Sequence, residues 1–152
     1  GVDKAIFGFG VLENGDNTSI TNLVSNLGVV ATDTTGVGSA ISNPGAAGYG
    51  GDKAIFGFGG GMVNYMFTVY NKTNLVSNTG VVSSDVTGVG TARSWAAASS
   101  YGGDKALFAF GIISSYLNTV NLVSNTGVVS SDSTGAGTAR EGLAAAGYST
   151  TA

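Results

Sequence analysis

Asp52-Lys53-Ala54-Ile55-Phe56-Gly57-Phe58-Gly59 is written three times in this chain with little change. It stands first at Asp3 to Gly10 and last at Asp104 to Gly111, where Leu107 and Ala109 replace the isoleucine and the first glycine. The stretch is apolar and aromatic, and its glycines leave no run long enough to sustain a helix, so it reads as a β-strand. The Gly102-Gly103-Asp104 type of entry suits a tight hairpin, because glycine reaches positive φ without steric cost. The small-residue segment before it, Ala96 to Tyr101, is the predicted hairpin partner.

Working outward, a second phrase repeats with the same phase. Asn22-Leu23-Val24-Ser25-Asn26 returns at Asn74 to Asn78 and at Asn121 to Asn125. Each copy leads through Gly-Val-Val to an Asp and a Thr-Gly, at Asp33, Asp85 and Asp132. A small-residue segment then ends on Tyr49, Tyr101 or Tyr148. The chain of 152 residues is therefore one repeat domain of three units, approximately 3–51, 52–103 and 104–152. Met62 to Tyr70 is predicted as a third strand of the unit and Asn74 to Val82 as a fourth. The segment between the Phe-Gly and Asn-Leu-Val phrases varies in length and is expected at the surface. Helix is not expected anywhere, since the Ala-rich stretches are only five to six residues long.

Four short strands in about fifty residues match the size of a β-propeller blade. The order of small-residue strand, Tyr-Gly-Gly-Asp turn and Lys-Ala-Ile-Phe-Gly-Phe-Gly-Gly strand resembles the kelch blade. Gly59-Gly60 followed by Tyr65 and Tyr70 carries that resemblance best. Gly10-Val11 and Gly111-Ile112 keep only half of the glycine doublet, and Trp95 lies away from the usual tryptophan position. The Thr-Asn-Leu-Val-Ser-Asn-Thr-Gly-Val-Val wording is also similar to repeats in uncharacterised virion or tail-associated proteins of aquatic bacteriophages. The resemblance implies an all-β propeller of three four-stranded blades per chain and a virion or extracellular setting.

Composition narrows the chemistry. There is no histidine and no cysteine, which removes the commonest general base, the commonest metal ligand, thiolate nucleophiles and disulfides. The formal net charge of −3 with only six Lys and Arg gives no footprint for nucleic acid. No apolar run approaches the ~18 residues of a membrane helix, and Gly1-Val2-Asp3-Lys4 has no signal-peptide pattern. No cofactor or metal is expected. Asp16 sits among oxygen ligands in Glu13 to Asn17 but lacks the spacing of an EF-hand loop.

Eleven charged side chains fall at recurring positions: the three Asp-Lys pairs, Asp33, Asp85, Asp132, Arg93 and Arg140. A charge present in every copy reads as structural, because catalysis needs one asymmetric constellation. The Asp-Lys pairs read as solvated turns. Asp33, Asp85 and Asp132 read as Asx-type turns, or as clamps in which Asp85 meets Arg93 or an arginine of the adjacent blade. The recurring phenylalanines Phe7, Phe9, Phe56, Phe58, Phe108 and Phe110 read as core. The aromatics that do not recur, Trp95, Tyr65, Tyr70 and Tyr116, are the candidates for ligand binding by stacking, with Trp95 in the place of Pro44 and Gly142. Glu13 and Glu141, the two glutamates, are the carboxylates a hydrolase would need.

The Asp-Lys strand comes first in the chain and its small-residue partner type comes last, at Leu143 to Tyr148. Unpaired strand edges are liabilities that ring closure removes. The expectation is a homodimer forming a six-bladed ring. Its function is expected to be structural or binding, with a glycan or another virion protein as partner. The competing expectations are a polysaccharide hydrolase using Asp and Glu alone, a self-assembling filament, and one stretch of a longer propeller.

Overall fold

The computed structural model describes residues 3–149; Gly1-Val2 and the end of the third unit from Thr150 to Ala152 lie outside the described residues. The protein is all-β, with several small antiparallel sheets and no helix among the described residues. In the first unit β1 (Ala5–Val11) pairs with β2 (Asn17–Val24), with a register shift between Gly8 and Gly10. The second sheet has the order β3 (Gly45–Tyr49), β4 (Lys53–Gly57), β7 (Thr73–Val76). Between its last two strands projects a separate hairpin of β5 (Gly60–Val63) and β6 (Met66–Val69). The fourth sheet runs β8 (Ala97–Tyr101), β9 (Lys105–Ala109), β10 (Thr119–Val123), β11 (Ser133–Thr134).

The predicted hairpins form as read. Tyr49 pairs with Lys53 across Gly50 and Gly51, and Tyr101 with Lys105 across Gly102 and Gly103, all four glycines at positive φ. Each small-residue strand thus belongs to the sheet of the unit that follows it. Two strand readings need correction. Met62 to Tyr70 is not one strand: the chain reverses at Asn64 and Tyr65, both at positive φ (48° and 64°), as a two-residue hairpin turn requires. Asn74 to Val82 is strand, turn and return. Ser77 accepts from the Thr79 and Val81 amides through its Oγ, Gly80 takes positive φ, and Val82 bridges back to Val76. Ser25 and Ser124 build the same turn with Gly28 and Gly127.

Four strands per unit holds only for the last sheet. In the first two units the returning segments touch the sheet through isolated bridges, such as Thr21 with Thr34 and Thr73 with Val86. Among the described residues β1 has no small-residue strand on its other edge, and the sheets do not close into a barrel or ring.

The core lies between successive sheets. One cluster joins Tyr49, Ile55, Phe58, Ala106, Phe108 and Val123; a smaller one joins Phe56, Val76 and Val82, with Ile6 and Phe9 packed on it. The recurring phenylalanines are therefore not equally core. Phe56 and Phe108 are 4% and 0% exposed, but their counterpart Phe7 is 61% exposed. The reason is the stagger: the first Phe of a unit packs edge-to-face on the second Phe of the unit before it. Phe56 meets Phe9 at 5.1 Å and Phe108 meets Phe58 at 5.0 Å. Phe7 has no preceding unit among the described residues.

Candidate functional site

Three of the recurring charges, Asp85, Asp132 and Arg93, meet at the joints between units. Asp85, after the turn of unit 2, reaches back 46 residues: the Ser39 amide donates to it at 3.0 Å and the Ser39 hydroxyl at 2.6 Å. Asn74 donates to the same carboxylate at 3.0 Å, and Lys72 makes a 3.0 Å ion pair with it. Burial by itself would raise the pKa of Asp85, but these donors outweigh burial and hold its carboxyl well below the usual carboxylate range. Asp132 repeats the device one unit on, accepting from the Thr91 amide, the Thr91 hydroxyl and Asn121. It is likewise held low against the effect of burial. Gly38 and Gly90 precede the two donors at positive φ, where a Cβ would strike the carboxylate itself. The local Asx turn is thus corrected to a clamp across the joint, and its partner is Ser or Thr rather than arginine. Asp33, at the same position in unit 1, accepts from Asn22 at 2.8 Å.

Arg93 is fully buried, and its guanidinium carbon lies 4.0 Å from the centre of the Phe58 ring. It donates to the carbonyl of Thr91 in its own unit and, at 2.7 Å, to that of Phe110 in the next. Burial pulls it down to about 10, countered in part by Asp132, so it remains charged at neutral pH. Arg140 repeats half of this arrangement: it lies over Phe110 at 4.2 Å and donates to Thr138, but it is exposed. Ile41 takes the position in unit 1 and is buried.

Asp52-Lys53 and Asp104-Lys105 lie at surface turns, whereas exposed Asp3-Lys4 precedes β1 without one among the described residues. Lys53 and Asn78 hold Asp52 below its ordinary range, as Lys105 and Asn125 do for Asp104.

The aromatic candidates separate. Tyr65 stands 99% exposed at the tip of the β5–β6 hairpin. Trp95 and Tyr116 are exposed, and the backbone brings their segments together: Ser94 exchanges hydrogen bonds with Ile112, which bridges Tyr116. Tyr70 is half-buried, with Lys72 over its ring at 5.0 Å. Trp95 corresponds structurally to Asn43 and Gly142, not to Pro44; all three take positive φ (57°, 54° and 65°). Asn and Gly suit that conformation and tryptophan does not. Exposed Met62, Val63, Met66, Phe67 and Ile113 extend the apolar character of these connections.

Glu13 is exposed beyond β1 and Glu141 follows Arg140. Among those residues no three His, Cys, Asp or Glu side chains come together, and no helix is long and apolar enough to cross a membrane. A cavity of about 340 Å³ opens between units 1 and 2, walled by Ile6, Leu23, Ala46, Ala54, Val76 and Gly80 among others. Sequence reading missed it, because its walls come from two units and are unremarkable in each. No family model and no curated protein matches the sequence.

Proposed function

We infer that the protein is a non-enzymatic structural and binding module whose units join as propeller blades, two chains completing a six-bladed ring with two-fold symmetry. One observation carries this reading: the recurring acids and the buried arginine at the joints are engaged in holding one unit to the next. A general acid needs a carboxyl poised to exchange protons near neutral pH, whereas Asp85 and Asp132 are held low, and their oxygens are already taken up by donors within the joints. The partner-binding face is the side of the variable connections, where Tyr65, Trp95 and Tyr116 are exposed. Their flat rings suit stacking on a sugar, and repetition around a ring would supply multivalency. The resemblance to phage virion repeats supports a virion or extracellular setting.

A glycan array combined with a turnover assay tests this on the native chain and on the Glu13→Gln, Glu141→Gln double variant. Binding without cleavage in both is expected. Cleavage by the native chain that the double variant loses would replace this reading with a hydrolase. Negative-stain class averages should show six-lobed discs; filaments would replace the ring with open assembly.

A further inference from the structure

We propose that segment Leu143 to Tyr148 of one chain docks as a strand on the free edge of β1 in a second copy, with Tyr148 entering the cavity between that copy's first two units. The proposal rests on the assembly read above and names its interface.

The joint between units 2 and 3 shows what the cavity is for. There Tyr49, the last residue of β3, is 4% exposed among Ile55, Ala106 and Val123, with Leu75 and Ala98 beside them. Gly127 faces its ring so closely that a Cβ would stand 3.1 Å from it. The joint between units 1 and 2 has the same walls: Ile6 for Ile55, Ala54 for Ala106, Val76 for Val123, Leu23 for Leu75 and Gly80 for Gly127. No tyrosine fills it. The strand that would bring one, on the edge of β1 away from β2, is lacking among the described residues.

The chain carries a strand of that kind. Leu143-Ala144-Ala145-Ala146-Gly147-Tyr148 matches Pro44-Gly45-Ala46-Ala47-Gly48-Tyr49 in position and character. It joins no ladder, and Tyr148 is 91% exposed. It is already placed against β8 as β8 is placed against β3: Gly147 lies on the Ser100 carbonyl, and Ser100 donates to the Gly48 carbonyl at 2.9 Å. Among the described residues it does not pair with β1 of its own chain, and a second copy offers the same segment, so the proposed occupant is a second copy.

Three further half-contacts match across the same junction. Exposed Phe7 would meet Phe110 as Phe56 meets Phe9. Arg140 would donate to the partner's Phe9 carbonyl as Arg93 donates to Phe110. Thr138 would close on Asp33 as Thr91 closes on Asp132. The internal ladder of Tyr49 with Lys53 and Ala47 with Ile55 fixes the register: Tyr148 opposite Lys4, and Ala146 opposite Ile6.

The chain has no cysteine, so paired cysteines test this cleanly. Mild oxidation of the Ile6→Cys, Ala146→Cys variant should give an interchain disulfide on non-reducing gels. The one-residue slip, Ile6→Cys with Ala145→Cys, should not, because that side chain points to the other face. Tyr148→Ala should weaken association by roughly 10- to 100-fold, the worth of one buried aromatic side chain. No cross-link at the in-register pair, a cross-link within one chain, or equal yield from both pairs would overturn the docking. A ladder of products beyond two chains supports the docking and removes the two-chain ring. A dimeric mass without the in-register cross-link keeps the ring and overturns the docking.

Discussion

Asp85 illustrates how one side chain converts a repeat into a joint. Its carboxyl is held below the unfolded value of about 3.9 by Ser39, Asn74 and Lys72. A group depressed on folding stabilises the fold above its unfolded value, and that contribution is lost as pH falls through the folded one. The urea midpoint should therefore fall as pH drops below about 4, and Asp85→Asn should flatten that dependence while lowering the midpoint at pH 7. Arg93 makes the complementary case. Arg93→Met keeps the length but removes the donor to the Phe110 carbonyl and the cation over Phe58. It should cost about 2–3 kcal/mol in urea unfolding, while Arg140→Met, at an exposed site, should cost little in an isolated chain.

Strands and turns follow the local wording closely, with instructive exceptions. Glycine pairs mark the β3–β4 and β8–β9 hairpins because two consecutive positive φ values favour them. The β5–β6 turn hides the same geometry under Asn64 and Tyr65, a pair whose tyrosine gives no turn signal. An exposed tyrosine held at φ 64° is costly unless it does something else. Tyr65→Gly should raise stability by roughly 1 kcal/mol, read as a higher melting temperature, and should weaken partner binding if the exposed face is the binding face. The Ser77 turn was legible only in part. Its glycine signals positive φ, but a serine accepting from two amides looks no different in sequence from a serine within a strand.

Across the whole molecule, position along the stack outweighs identity. Phe7 and Phe56 share the same local sequence, yet one is exposed and the other buried. In urea unfolding of the isolated chain at low concentration, Phe56→Ala should cost about 3–5 kcal/mol and Phe7→Ala less than about 1 kcal/mol. Equal costs would mean that the first unit is already covered in solution. The cavity between units 1 and 2, the exposed Tyr148 and the half-made contacts of Arg140 belong to the same pattern, in which a joint made twice inside the chain is left in halves at its two sides.

Strand character, glycine hairpins, the three-unit phase and the lack of histidine and thiol chemistry were all readable from the residues, because each depends on neighbours within a few positions. The clamp of Asp85 on Ser39, the burial of Arg93 and the burial of Tyr49 against Gly127 were not. Each depends on which residue of another unit stands across a joint, and burial is a property of that neighbour as much as of the side chain itself. Identical words in the three units therefore acquire different environments: the local sequence makes the strands, and the stacking of units determines which of their side chains become core, clamp or open edge.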